Sequence, residues 1–155
     1  MNFKAVSASE AVRLVGLKSV AMLDYLERSE VLVRSARRAS GRGRHRAYDF
    51  RDLLVLKVIA SLLRNGASVA AVKKALREFQ QERWQADVAS LGFGEQRIRY
   101  LIVSGDRILF ATGRDSFFDI TAGGQLAFNF VVDLDFLHTE LCTAVSQREF
   151  EFLRA

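Results

Sequence analysis

Arg34, Arg37, Arg38, Arg42, Arg44 and Arg46, with His45 among them, follow one another in the run RSARRASGRGRHRAY without one acidic residue before Asp49. Six guanidinium groups on a segment that also holds Gly41 and Gly43 cannot pack as a core. Their planar forks match phosphate oxygens or slip into a narrow minor groove, so the chemistry on offer is recognition of a polyanion. The competing reading is a solvated basic loop or linker without a partner. A second group precedes it. Lys18, Ser19, Ala21, Met22, Tyr25 and Arg28 recur at helical spacing and present a side that Val20, Leu23 and Leu26 leave free.

The elements that must position these groups can be read from caps and periodicity. Ser7-Ala8-Ser9-Glu10 has the form of a capping box and predicts a helix from Ala8 to about Val15. Gly16 supplies a left-handed stop, and Ser19 caps a second helix, expected over Val20 to Ser29. Helix, tight turn and helix are what reading a major groove requires, because the first helix braces the second as it enters a groove about 12 Å wide. The same pair also occurs in bundles that bind nothing. Leu32 and Val33 start a strand, and the arginine run after them reads as a β-hairpin wing.

Asp49 caps a broadly apolar helix containing Phe50, Leu53, Leu54, Leu56, Val58, Ile59, Leu62 and Leu63, with Lys57, Ser61 and Arg64 as one polar stripe. Asn65-Gly66 ends it, and Ser68 caps a further helix with Val69, Val72, Leu76 and Phe79 inward. The basic outer positions of both helices read as a solvated face. From Gln80 to Gly94, Trp84, Val88 and Leu91 continue a helical spacing up to Gly92 and Gly94. The period then alternates. Tyr100 to Val103 and Ile108 to Phe110 are strand-like around a Gly105-Asp106 turn, Phe117 to Ile120 is a third candidate strand, and Gln125 to Val132 a fourth after Gly123-Gly124. Asp133 caps a final helix carrying Leu134, Leu137, Leu141 and Val145. The expected fold is α+β. It comprises a winged helix-turn-helix at 1–80, a helical connection at 81–97 and a strand-rich dimerisation or sensing module with a final helix at 98–155.

Charge divides along the same line. Residues 1–80 carry 16 Lys+Arg against 7 Asp+Glu, residues 81–100 carry 3 and 3, and residues 101–155 carry 4 against 8. A basic half suits DNA, where each phosphate contact releases counterions, while an acidic half suits protein or small-molecule partners. No uncharged run approaches the ~18 residues of a membrane span, so the chain is expected in the cytoplasm. Its single cysteine allows no internal disulfide.

No nucleophile with a base, no phosphate-cradling loop and no clustered metal ligands emerge, so neither catalysis nor a cofactor is expected. Gly41-Arg42-Gly43 lacks the third glycine of a dinucleotide loop. His138 and Cys142, four apart, share a helix face, and two protomers together would offer four ligands to a zinc. A buried cysteine beside a surface histidine is the commoner arrangement, and no metal is expected. Asp133 and Asp135 are read as favourable charges at a helix start rather than as catalytic carboxylates.

Residues 5–80 resemble the DNA-binding domain of MerR-family transcriptional regulators. The match lies in Glu10-Ala11, the run Leu23-x-Tyr25-x-Glu27-Arg28, Val31-Leu32 before the wing, Arg46-x-Tyr48 after it, and Asp52-Leu53 through Gly66-x-Ser68. The resemblance implies a winged helix-turn-helix that binds promoter DNA as a homodimer on an inverted repeat. Among the exposed positions of the second helix, Lys18, Ser19, Ala21, Met22, Tyr25 and Arg28 are the candidates for contact. The wing would add Arg37, Arg38, Arg42, Arg44, His45, Arg46 and Tyr48. Asp24 departs from the pattern by standing where that family commonly has an arginine, so it either faces the DNA or is paired by a neighbour such as Arg28. The strand-rich segment departs too, since the family typically ends in one long helix that forms an antiparallel coiled coil. The alternative function is an antitoxin-like protein whose acidic half captures a partner while DNA binding autoregulates its operon. A ligand sensor is a third reading, and it requires a pocket between sheet and helix.

Overall fold

Side-chain caps set where the N-terminal helices begin. In the computed structural model, described over residues 3–32, 46–78, 98–105, 107–113 and 129–154, Ser7 Oγ accepts the Glu10 amide while the Glu10 carboxylate accepts the Ser7 amide. That reciprocal box starts α1 (Ala8–Val15). Gly16 closes α1 in the left-handed region at φ 78°, where a side chain is strained, and its amide bonds back to the Val12 carbonyl. Ser19 Oγ then accepts the Met22 amide at 3.2 Å and starts α2 (Val20–Arg28). Asp49 and Asp52 form a second box at the head of α3 (Phe50–Arg64), and Ser68 caps α4 (Val69–Glu78) through the Ala71 amide.

Two short strands pair where the arginine-rich run ends. β1 (Val6–Ser7) pairs antiparallel with β2 (Ala47–Tyr48), with Val6 opposite Tyr48. A two-residue strand carries little periodicity, and β1 was legible only as the approach to a cap. The second sheet has the order β4-β3-β5, built from β3 (Tyr100–Ser104), β4 (Arg107–Ala111) and β5 (Phe130–Asp133). Ser104 pairs with Arg107 across the expected two-residue turn, with Gly105 at φ 60°. The Gly105 amide also bonds to Asn129 Oδ1 at 3.0 Å, which ties the turn to the start of β5. The last helix, α5 (Leu134–Arg154), follows β5 directly, and Asp133 Oδ1 accepts the amides of Asp135 and Phe136 at its head.

The arrangement is α+β, with a helical N-terminal part followed by a strand-rich part and a final helix. One core runs through both. Leu23 and Leu26 of α2, Leu53, Leu56 and Ile59 of α3, Leu101 and Val103 of β3, and Leu141 and Val145 of α5 belong to a single apolar cluster. Burying each such side chain is worth about 1.5–3 kcal/mol. Helix α3 is its axis, with every residue from Asp52 to Leu62 buried except Lys57. A helix apolar on nearly all sides must be covered on nearly all sides. The polar stripe of α3, expected to be a solvated face, is instead where α5 lies. Lys57, only 12% exposed, reaches Glu140 at 3.6 Å, and Ser61 is buried. Phe50 meets the His138 ring edge-on at a centroid distance of 5.8 Å. On α1, Arg148 donates to Glu10 Oε1 through Nε at 3.0 Å and Nη2 at 2.7 Å.

The expected connection at 81–97, the candidate strand Phe117 to Ile120, the Gly123-Gly124 turn and residues 125–128 of the fourth strand lie outside the described residues.

Candidate nucleic-acid interface

Helix α2 divides cleanly. Leu23 and Leu26 are fully buried and fix its rotation, so Lys18, Ser19, Ala21, Tyr25 and Arg28 face outward, with Met22 half-buried beside them. Tyr25, 47% exposed, is the large aromatic residue on this face. These positions repeat every three or four residues, and the face they form is long enough to follow a groove. Ser19 Oγ is occupied as an acceptor by the cap, which leaves its hydroxyl proton to donate outward.

Two carboxylates flank this face and neither is free. Asp24 forms an ion pair with Nη1 of Arg46, and Glu27 Oε2 lies 3.6 Å from the same nitrogen. Arg46 is held even more firmly protonated than an ordinary arginine, first by its hydrogen bond to Asp24, with burial acting against it. Asp24 is therefore paired by a neighbour, and the neighbour is Arg46 rather than Arg28. The acidic residue that departs from the family pattern is neutralised by the base of the wing.

Tyr48, expected to contact DNA, is fully buried, and its hydroxyl donates to Glu27 Oε1. This corrects the expectation. A side chain with no exposed surface cannot meet a phosphate, and the pairing of β2 with β1 turns Tyr48 into the core beneath α2. Arg46 and Tyr48, two apart on an extended segment, point the same way, as do Asp24 and Glu27 three apart on a helix. That matched pair of spacings was present in the sequence and identifies Glu27 as a hub. Arg37, Arg38, Arg42, Arg44 and His45 lie outside the described residues.

The brace behind α2 contains a contact that sequence spacing did not suggest. Nη2 of Arg64, at the end of α3, lies 3.2 Å from where a Cβ on Gly16 would sit. Glu10 is also more than a cap. The Ser7 backbone amide and then the Arg148 guanidinium hold its carboxyl below the usual range. On α5, Cys142 Sγ lies 3.8 Å from His138 Nε2, as four-residue spacing requires. Among the described residues no three metal-ligating side chains cluster. No described helix is long and apolar enough to cross a membrane.

Comparison with known proteins agrees with this geometry. Residues 6–78 match the family described as MerR HTH family regulatory protein. Uncharacterised HTH-type transcriptional regulators of Mycobacterium bovis and Mycobacterium tuberculosis are 33% identical over 110 residues, covering 71% of this chain and 45% of each relative. The chain thus spans less than half the length of the curated relatives it matches. The aligned stretch is longer than the family match, so the likeness continues past α4. The exposed face of α2 and the match over residues 6–78 make the N-terminal part of this chain similar to the helix-turn-helix of MerR HTH family regulatory proteins.

Proposed function

We propose that the chain is a sequence-specific DNA-binding transcriptional regulator, acting in the cytoplasm as a homodimer on an inverted repeat. The observation that carries the reading is the free face of α2, which Leu23 and Leu26 lock outward. In this reading Tyr25, Met22 and Ala21 meet base edges, while Lys18, Ser19 and Arg28 meet the backbone or a flanking base. The wing arginines Arg37, Arg38, Arg42 and Arg44, with His45, hold the adjacent phosphates. Arg46 is a positioning residue that sets the wing against α2. The work is binding rather than catalysis, and no cofactor or metal takes part.

Dimerisation is assigned to the C-terminal part. Phe150 of α5 is 58% exposed, a large apolar side chain of the kind a partner covers.

The test is salt-titrated binding of the full chain to its own upstream intergenic DNA and to scrambled DNA of equal length. Specific sites usually exceed non-specific ones by ~10³ or more, so a preference of at least about a hundredfold with steep salt dependence is expected. Equal, weak binding to both overturns the reading. A second protein co-purifying in stoichiometric amount points instead to the antitoxin-like alternative.

A further inference from the structure

Between the end of α3, the strand β5 and the first turns of α5 lies an open cavity of about 250 Å³. Ser61 and Arg64 line it from α3, Val131 and Asp133 from β5, Phe136 and Glu140 from α5.

Its charged groups are not equally available. Asp133 is engaged by the amides at the head of α5 and faces Arg99 at 3.6 Å. Glu140 faces Lys57, also at 3.6 Å. Arg64 has no carboxylate partner among the described residues. Among the described residues, the uncommitted charge lining the cavity is therefore positive. The apolar contribution is also distinctive, because Phe136 is 63% exposed beside Val131, although a large ring ordinarily gains by burial.

We infer that this cavity binds a small organic anion, a carboxylate on a compact apolar body. Arg64 takes the charged end through a charge-assisted hydrogen bond, and Phe136 with Val131 covers the body. The volume lies near the lower bound of about 300 Å³ for small-molecule pockets, which restricts the body to roughly one aromatic ring. Arg64 gives the site a mechanical consequence. Its guanidinium also rests against Gly16, the turn that sets α2 against α1. Drawing that group toward a carboxylate withdraws support from the turn and alters the presentation of α2. The binding site stands independently of the DNA-binding reading, whereas the coupling rests on it.

The first experiment is calorimetric titration of the full chain, without DNA, with benzoate as the probe and benzamide and inorganic phosphate as controls. Saturable one-to-one binding of benzoate is expected, with R64Q weakening it about tenfold or more, as loss of a charged hydrogen bond does. F136S should weaken benzoate and leave phosphate unchanged. Both positions are exposed, so neither substitution threatens folding. The proposal is overturned by absence of saturation, by R64Q binding as the parent does, or by benzamide or phosphate matching benzoate. The second experiment repeats the DNA titration with saturating benzoate. A changed affinity that R64Q abolishes supports the coupling, and an unchanged affinity overturns the coupling alone. Saturable benzoate binding by a chain that fails to discriminate DNA would leave the site standing and the regulator reading overturned.

Discussion

Arg46, at the foot of the wing, is ion-paired with Asp24 on the outward side of the reading helix. A basic residue that would serve a phosphate is thereby engaged within the protein, and an acidic residue that would repel one is neutralised. The two segments are set against each other before DNA is met.

Substitution should separate that role from direct contact. R46Q is expected to weaken all DNA sequences while leaving the slope of log affinity against log salt nearly unchanged. R28Q should reduce that slope by about one unit if Arg28 meets a phosphate, or change the preferred sequence if it meets a base. A double-mutant cycle of D24N with R46Q, read by thermal denaturation, should give a coupling of about 0.2–1 kcal/mol, as for partly exposed pairs. A full unit of slope lost in R46Q would show that Arg46 is itself a phosphate ligand.

Y48F removes the buried hydroxyl that donates to Glu27. A hydrogen bond to a charged group contributes about 1.5–3 kcal/mol, so chemical denaturation should show a loss of that order. Sequence preference on DNA should be unchanged, because Tyr48 has no exposed surface. A switched preference without destabilisation would contradict the placement.

G16A adds a Cβ at φ 78°, facing Arg64 Nη2 at 3.2 Å. Left-handed backbone costs a residue with a side chain about 1–2 kcal/mol, and chemical denaturation should show a loss of stability of that order. R64Q combined with G16A should recover only the steric part.

The Glu10 carboxyl titrates below its ordinary value, held first by the Ser7 amide and then by Arg148. A depressed folded-state pKa contributes stability above the unfolded value of 4.5, and that stability is lost as pH falls through the folded value. Melting temperature should therefore fall on acidification below about pH 4.5 more steeply in the parent than in E10Q, and R148Q should flatten the same limb. Parallel curves for parent and E10Q would refute the assignment.

The N-terminal elements were legible because their signals are local. The capping box at Ser7, the caps at Asp49 and Ser19 and the stop at Gly16 each act within four residues, and each appears where the spacing placed it. The Gly105 turn was legible for the same reason. The destination of α5 was not. Lys57, Ser61 and Arg64 look like a solvated stripe to any argument confined to one helix, and only Glu140, some eighty residues later, shows that the stripe is covered at Lys57 while Arg64 stays exposed. Polar residues at a helix-helix seam and polar residues in water share one pattern. Tyr48 misled in a related way, since a tyrosine next to an arginine run suits a groove or a core equally, and β1 decides for the core.

The core shared by α2, α3 and α5 has a consequence for how this protein can be taken apart. Leu141 and Val145 fill space against the same cluster that fixes Leu23 and Leu26. The reading head is thus no interchangeable cassette. Cutting the chain after α4 would strip α3 of its cover, so what remained would be expected to lose cooperative melting.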